Sequence, residues 1–264
     1  MVKYGQALKN QVKVKNVTQE IFFSLILPAH NEQERLPGCI EKVAAFVSTF
    51  KYPIEVLIVE NASSDKTFEL AESYAEKYEW LRAIKDDQRG KGRAVRTGML
   101  AARGRIRFFA DVDFSMPIDE IYNFLPPRMT DRFDVAIGSR EAEGAVRYDE
   151  PELRHFTGRV FNWVVRILAV HGLKDTQCGF KCFTAEAAEK LFSRQKIDGW
   201  AFDAEVLFIA QRLGLRIIEV PVQWYYDGSS KIHIWSDAIK MIRELVQIRI
   251  KDRKSTRLNS SHGS

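Results

Sequence analysis

The chain has 264 residues, which allows one large domain or two small ones, and 45% of its residues are hydrophobic, as in an ordinary folded protein. Lysine and arginine total 40 against 35 acidic residues, giving a formal net charge of +5. This charge favours an anionic partner: a phosphate-bearing substrate, an acidic membrane surface or nucleic acid. Three cysteines provide no disulfide framework and indicate a reducing compartment.

The two ends of the chain differ from the rest. Residues 1–20 are polar and are predicted to be a flexible arm without a signal peptide. Residues 251–264 have no periodicity and are predicted to be disordered and foreign to the native protein. No stretch reaches the roughly 18 apolar residues of a membrane span. We therefore expect a protein without a transmembrane segment, peripheral on the cytoplasmic face of a membrane.

Short apolar runs alternate with amphipathic segments through the first half of the chain. Strands are predicted at 21–27, 54–59, 81–84, 106–110 and 134–138, and helices at 33–50, 66–79, 91–103 and 117–126. This alternation predicts an α/β fold with a mostly parallel, doubly wound sheet flanked by helices. Ligands of such sheets bind beyond the carboxyl ends of the strands.

The second half is richer in helices. After a charged loop at 141–155, the pattern predicts helices at 156–171, 184–194, 202–213 and 235–250, and a strand at 216–222. The helices at 156–171 and 235–250 carry apolar stripes beside basic residues, and such helices either lie in the headgroup plane of a membrane or pack on the core.

Two carboxylates follow the apolar strand at 106–110. Asp111 and Asp113 stand at positions i and i+2, and on an extended strand tip such side chains point the same way. Hard cations take carboxylate oxygens together with substrate phosphates. The pair predicts a Mg²⁺ or Mn²⁺ site on a diphosphate, the alternative being two solvated loop acids.

Other polar groups follow neighbouring strands. The segment Gly90-Lys91-Gly92-Arg93 lacks Walker spacing, but a tight turn at a helix start with two cations suits phosphates. The alternative is a capped surface turn. The segments 28–32 and 60–61 offer hydrogen-bonding groups for a nucleobase and ribose, or else cap helices.

Read together, these motifs resemble a known family. Segments 28–32, 59–65, 90–98 and 110–113 have the order and spacing of the inverting family 2 glycosyltransferases, which have the Rossmann-like GT-A fold. Segments 138–140, 175–183 and 200–205 resemble the dolichyl-phosphate β-glucosyltransferases and, less closely, the dolichyl-phosphate mannose synthases. The likeness covers about residues 21–250, and Asp-Thr-Gln-Cys-Gly-Phe-Lys at 175–181 is its most specific stretch.

The resemblance implies one GT-A domain at 21–250, with a nucleotide-binding half at 21–138 and an acceptor half at 139–250. The implied catalytic residues are Asp111, Asp113, Asp175 and Asp203, with Asp113 and Asp111 as metal ligands. The implied nucleotide-binding residues are Pro28, Ala29, Asn31, Glu32, Glu60, Asn61, Ser63, Asp65, Gly90, Lys91, Gly92, Arg93 and Asp111. The implied acceptor and sugar residues are Arg140, Arg154, Gln177, Lys181, Trp200, Glu205 and Lys231.

The implied activity is transfer of a hexose, preferably glucose from UDP-glucose, to a dolichyl or polyprenyl phosphate. Inversion would give a β-linked lipid phosphosugar. Two alternatives remain open: a dolichyl-phosphate mannose synthase that uses GDP-mannose, and a soluble nucleotide-sugar enzyme such as a nucleotidyltransferase. The implied partners are a nucleotide sugar, the lipid phosphate and a membrane surface. Nucleic acid is not expected, because basic and aromatic residues do not cluster on one strand face.

Overall fold

The computed structural model describes residues 20–151 and 170–226, together with residues 159, 165, 243 and 244. Its elements in chain order are β1 (Phe23–Ala29), α1 (Leu36–Thr49), β2 (Ile54–Asn61), α2 (Thr67–Lys77), β3 (Leu81–Asp86), α3 (Lys91–Ala101), β4 (Ile106–Ala110), a 3₁₀ helix (Ile118–Phe124), β5 (Val135–Ser139), β6 (Val146–Tyr148), β7 (Phe180–Thr184), α4 (Ala185–Phe192), α5 (Phe202–Arg212), β8 (Ile217–Pro221) and β9 (Gln223–Tyr225).

Seven strands form one sheet in the order β3-β2-β1-β4-β7-β5-β8. Neighbouring strands pair in parallel except at β7, which is antiparallel to both β4 and β5. The predicted mostly parallel sheet is confirmed. Strands β6 and β9 form a separate two-stranded sheet, here called the small sheet.

Helices cover both faces of the large sheet, which explains the continuous apolar runs of its strands. Phe23, Leu25 and Leu27 of β1 pack with α1 and the 3₁₀ helix, whereas Ile26 packs on the other face with α3 and α5. The side chains therefore alternate between two hydrophobic cores, as the twofold period of a strand requires.

Some predicted elements differ from the observed ones. The helix predicted at 117–126 is a 3₁₀ helix of 7 residues. A proline disfavours the helical conformation of the residue before it, and Leu125, which precedes Pro126, is extended. The loop predicted at 141–155 contains β6, and the strand predicted at 216–222 ends one residue earlier, before β9 begins.

Strand β7 was not predicted, because Lys181 interrupts its apolar residues. This lysine is 1% exposed, and the strand is buried at Phe180, Cys182 and Phe183. Thr184 then caps α4 by accepting a hydrogen bond from the backbone N–H of Ala187 at 3.2 Å.

The helices predicted at 156–171 and 235–250 lie almost entirely outside the described residues, as do the terminal segments 1–19 and 251–264. Among the described residues, no helix combines the length and the apolar character needed to cross a bilayer.

Candidate active site

The candidate site lies at the carboxyl edge of the large sheet. The loops after β1, β2, β4 and β5 meet there because these strands run parallel. Strand β7 runs the opposite way, so the segment 175–179 that precedes it reaches the same edge. The motifs singled out from the sequence therefore converge on one side of the sheet.

Asp111 and Asp113 lie in a tight turn at the end of β4 rather than on an extended tip. The backbone N–H of Phe114 donates to the carbonyl of Asp111 at 3.2 Å, and Phe114 has a φ of 47°. The buried side chains of Val112 and Phe114 hold the turn in the core. Burial and the charge of Asp111 raise the pKa of Asp113.

Lys91, at the start of α3, faces this turn. Its Nζ lies 2.5 Å from Oδ1 of Asp111 and 5.2 Å from the centre of the Trp200 ring. Burial alone would lower the pKa of Lys91, but the carboxylates of Asp111 and Asp203 raise it above its ordinary value. The amine therefore stays cationic next to the acidic turn.

The two glycines beside Lys91 leave room for another part of the chain, the loop before α5, to pack against them. A Cβ at Gly90 would overlap the carbonyl oxygen of Asp198, and one at Gly92 would lie 2.5 Å from Cβ of Phe202. Gln195 also donates from Nε2 to the carbonyl of Gly92 at 2.9 Å. These contacts pack the loop before α5 against the start of α3, where Lys91 lies over Trp200. The predicted role of this segment in binding phosphates stays a prediction.

Gly179, just before β7, makes room for Asp111. A Cβ at this position would overlap Oδ2 of Asp111 and lie 2.8 Å from its Cγ. A side chain there would displace the carboxylate that Lys91 contacts. The glycine in the segment 175–181 therefore has a defined steric role.

Lys181 and Asp203 form a buried ion pair behind the acidic turn. Nζ of Lys181 donates to Oδ1 of Asp203 and to the carbonyl of Cys178, both at 2.5 Å. Burial raises the pKa of Asp203, although Lys181 and Lys91 oppose this effect. Glu205, two residues further along α5, accepts from the backbone N–H of Ile197 at 2.7 Å. The charged groups of Lys181 and Glu205 thus bind the protein itself.

Arg140 and Asp175 form a bidentate pair at the end of β5. Nε of Arg140 donates to Oδ2 of Asp175 at 2.7 Å and Nη2 donates to Oδ1 at 3.0 Å. The backbone N–H of Gln177 also donates to Asp175, and that of Asp175 donates to Glu219. Burial would raise the pKa of Asp175, but the Arg140 guanidinium lowers it to about 2.

Cys178 links this pair to the acidic turn. Burial and the charge of Asp175 raise the pKa of its thiol to about 12, and Arg140, Lys181 and Asp111 also act on it. Its sulfur lies next to the strand β5, 3.1 Å from where a Cβ of Gly138 would stand. Gly179, the next residue, lies against the Asp111 carboxylate, so the segment 175–179 connects Arg140 with the acidic turn.

The loops after β1 and β2 are joined by the groups predicted to bind the nucleotide. Asn31 donates from its backbone N–H to Oγ of Ser63 at 3.0 Å and accepts at Oδ1 from the N–H of Ser64 at 2.8 Å. The carboxylate of Glu60 accepts from the N–H of Ser63. Nδ1 of His30 lies 2.8 Å from the carbonyl oxygen of Asn61.

A second set of bonds closes these two loops. The N–H of Glu32 donates to Oγ1 of Thr67 at 2.8 Å, and the N–H of Gln33 donates to Oδ2 of Asp65 at 3.2 Å. Pro28 and Ala29 end β1 in register with Val59 and Glu60. The predicted nucleotide residues therefore form a connected rim on one side of the acidic turn.

Asp86, which ends β3, belongs to none of the predicted site motifs. Its carboxylate accepts from Nε of Arg93 at 2.8 Å and from Oγ1 of Thr97 at 2.9 Å. These hydrogen bonds outweigh burial and lower the pKa of Asp86. The signal in the sequence was its position two residues after the strand predicted at 81–84. In the structure it pairs with Asn61 at the same strand edge. Arg93 is thereby tied to β3.

Two predicted residues, Arg154 and Lys231, lie outside the described residues. The structure brings the other predicted site residues to the carboxyl edge of the sheet or to the loop and helix packed against it. Their roles in binding and catalysis stay predictions.

Comparison with known proteins decides the class of this protein. Residues 24–193 match the family described as "Glycosyl transferase family 2". The chain belongs to this family. The matched segment runs from β1 through α4 and contains Lys91, Asp111, Asp113, Arg140 and Asp175.

Relatives of this glycosyltransferase share most of its length. A dolichyl-phosphate β-glucosyltransferase of Trichomonas vaginalis is 37% identical over 243 residues, covering 88% of this chain and 72% of the relative. One from Dictyostelium discoideum is 35% identical, covering 91% of this chain and 77% of the relative. One from Saccharomyces cerevisiae is 34% identical, covering 88% and 75%. The resemblance stated from the motifs is confirmed.

Solved structures support the fold. Glucosyl-3-phosphoglycerate synthase from Mycobacterium tuberculosis, solved with UDP, aligns with a TM-score of 0.64 at 17% identity, covering 86% of this chain and 80% of that one. The same enzyme with Mn²⁺, UDP-glucose and phosphoglyceric acid aligns with a TM-score of 0.65, covering 86% and 79%. At this identity the likeness shows a shared fold.

The acidic turn of this family 2 glycosyltransferase suits a divalent cation. Within the described part of the chain, no group of three His, Cys, Asp or Glu side chains is placed to bind a metal. Mg²⁺ commonly takes one or two carboxylates and completes its shell with water and substrate phosphates. Asp111 and Asp113, close together at the edge of the site, fit that donor set.

Proposed function

We propose that this glycosyltransferase transfers glucose from UDP-glucose to a dolichyl or other polyprenyl phosphate with inversion, producing a β-linked lipid phosphoglucose. The observation that carries the proposal is the identity of 34–37% to three dolichyl-phosphate β-glucosyltransferases over about nine-tenths of the chain. The geometry of the site supports it from both the donor side and the acceptor side.

On the donor side, the rim formed by the loops after β1 and β2 would bind the nucleotide. Asp111 and Asp113 would hold Mg²⁺ or Mn²⁺, which when bound stabilises the negative charge of the departing diphosphate. Lys91 adds a fixed cation 2.5 Å from Asp111. The residues present at this edge thus suit a nucleoside diphosphate as leaving group.

On the acceptor side, the pairing of the aspartates argues against a protein base. A phosphate monoester has a second pKa of about 6, so at neutral pH it is a dianion and already a nucleophile. Asp175 is held by Arg140 and Asp203 is held by Lys181. We propose that both orient groups in the site rather than remove a proton, and that Arg140, with Arg154, binds the acceptor phosphate.

A donor screen tests this function. The purified protein is incubated with one polyprenyl phosphate, Mg²⁺ and either UDP-glucose or GDP-mannose, and the lipid product is identified by mass. We expect the product to be a lipid phosphoglucose in which the glucose has the β-configuration. Preference for GDP-mannose would show a mannose synthase, and a sugar nucleotide as product would show a nucleotidyltransferase.

We also propose that the protein works on the cytoplasmic face of a membrane as a peripheral protein. Its lipid substrate and its formal charge of +5 support this placement. Flotation with anionic liposomes at low salt tests it: the protein should rise with the vesicles, and a protein that stays at the bottom of the gradient would contradict the proposal.

A further inference from the structure

Trp224 occupies the inner side of the small sheet. It pairs with Arg147 in the parallel register of β6 and β9, and only 8% of its surface is exposed. The next residues along the strands, Tyr148 and Tyr225, stack on each other with ring centres 4.4 Å apart. Because side chains alternate between the faces of a strand, this tyrosine pair lies on the face opposite Trp224.

Two guanidinium groups lie against the Trp224 ring. Cζ of Arg140 is 5.5 Å from the ring centre and Cζ of Arg147 is 5.7 Å from it. Both distances are within the range of cation–π attraction, which is strongest for tryptophan. Nε of Arg147 also donates to the carbonyl of Arg140 at 3.2 Å, so the two arginines are joined through the backbone as well.

The hydrogen-bonding capacity of these arginines is used unequally. Arg147 binds Glu141 through Nη2 and Glu150 through Nη1, the latter at 2.6 Å. Arg140 uses Nε and Nη2 for Asp175. Among the residues that the structure describes, none accepts a hydrogen bond from Nη1 of Arg140. The Arg140 side chain is 23% exposed, and the described residues leave the donors of Nη1 unused.

An aromatic ring is a suitable support for an arginine that must also bind a phosphate. A second carboxylate would compete with the phosphate for the remaining guanidinium donor and would repel the dianion. The face of an indole attracts the guanidinium without offering such an acceptor. Trp224 thus supports one face of a guanidinium whose Nε and Nη2 are bound by Asp175, and it does so without taking up Nη1.

We propose that Trp224 is a positioning residue for the acceptor phosphate, holding the Arg140 guanidinium so that Nη1 can bind the phosphate. Trp224 acts through Arg140 and needs no contact with the substrate itself. The inference rests on the proposed function for the identity of the acceptor, and it extends the site to the small sheet, which no motif in the sequence had marked.

Three variants test the proposal. Trp224→Leu removes the aromatic face and keeps an apolar side chain, Trp224→Phe keeps a ring, and Tyr225→Leu is the matched control on the opposite face. Farnesyl phosphate binding is measured by calorimetry without donor. We expect Trp224→Leu to raise its Kd about tenfold, Trp224→Phe by less, and Tyr225→Leu to leave it unchanged.

Kinetics provide the second measurement. The KM for the lipid phosphate should rise about tenfold in Trp224→Leu, as the Kd does, whereas the KM for UDP-glucose should stay at the wild-type value. Thermal unfolding of each variant shows whether it is folded. If Trp224→Leu does not fold, the comparison of Trp224→Phe with Tyr225→Leu decides, since only the former should weaken phosphate binding.

Two outcomes would overturn the proposal. One is equal phosphate affinity of Trp224→Leu and Tyr225→Leu, and the other is a parallel rise in both KM values, which would show general damage to the site. A wild type that binds farnesyl phosphate but forms no lipid phosphoglucose would refute the proposed function alone, because the binding measurement would still decide the role of Trp224.

Discussion

At the scale of single residues, the site depends on where the carboxylate of Asp111 can lie. Lys91 contacts one of its oxygens, and the absence of a side chain at Gly179 leaves room for the other. The turn that carries Asp113 is held by the buried side chains of Val112 and Phe114. Small changes around these residues should therefore affect activity more than stability.

Gly179→Ala should reduce turnover about 100-fold, because an added Cβ displaces Asp111 and a shift of about 1 Å in a catalytic group costs this much. Steady-state kinetics measure the effect. Gly38→Ala in α1 is the matched control: a Cβ there meets nothing within 4 Å. It should keep full activity and raise stability by about 0.5–1 kcal/mol. Equal activity of the two variants would contradict the steric role of Gly179.

Asp113→Asn should abolish metal-dependent turnover and weaken Mn²⁺ binding, because an amide oxygen replaces a charged ligand. Electron paramagnetic resonance of Mn²⁺ with UDP present measures binding apart from activity. Asp119→Asn, in the 3₁₀ helix, serves as the control and should bind Mn²⁺ like the wild type. Full activity of Asp113→Asn would remove the metal assignment.

At the scale of elements, the ion pair of Lys181 and Asp203 ties β7 to α5 in the core. Lys181→Met leaves Asp203 buried without its partner and should cost about 3–5 kcal/mol in the free energy of unfolding. The double variant Lys181→Met/Asp203→Leu should be much more stable than the single one. Urea unfolding measures both, and a double variant less stable than Lys181→Met would contradict this account.

The ion pair of Arg140, just after β5, with Asp175, in the segment before β7, predicts that the stability of the protein depends on pH. The pKa of Asp175 is about 2 in the folded protein, below the usual value of about 4. Its pairing with Arg140 is therefore fully stabilising above about pH 4 and is lost as the pH falls towards 2. Asp175→Asn should lose about 2 kcal/mol of stability at pH 7, and this difference from the wild type should shrink below pH 4.

Urea unfolding at several pH values measures this difference. The control is Asp131→Asn, since Asp131 is 70% exposed and lies 3.8 Å from Arg216. An exposed pair of this kind contributes little, so the control should match the wild type throughout. If Asp175→Asn were less stable than the wild type by the same free energy at every pH from 7 to 3, the ionised pair could not be the cause of the difference.

The elements also show what the sequence can and cannot predict. Strand β4 was predicted with its observed bounds, because it is a buried run flanked by polar residues. Strand β7 was not predicted, because the sequence does not show whether Lys181 is buried or exposed. Only the fold brings its buried partner, Asp203, next to it. The local sequence likewise predicted a tight turn at Gly90 and Gly92, but it did not predict the loop that packs against these glycines.

For the site, the strand-end motifs predicted which residues converge, since parallel strands end at one edge. Their pairing was beyond prediction: neither the bidentate bond of Arg140 with Asp175 nor the contact of Arg140 with Trp224 follows from local sequence. Both join residues from segments far apart in the chain, so they depend on the order of strands.

At the scale of the whole molecule, strands from both halves of the chain interleave in one sheet. Strand β7, from the predicted acceptor half, lies between β4 and β5 of the predicted nucleotide-binding half. We therefore expect the two halves to unfold together. Hydrogen exchange at increasing denaturant should give equal free energies for the amides of β1 and β8. Earlier exposure of β8 would show two independent units.

The antiparallel insertion of β7 has a consequence for biosynthesis. When Ser139 has been added to the growing polypeptide, β4 and β5 still lack the partner that bridges them, and it arrives only with Thr184. At about 5–20 residues per second the ribosome needs several seconds to supply it. During that interval two open strand edges invite wrong pairing, so the nascent chain is most exposed to misfolding before Thr184 has been added.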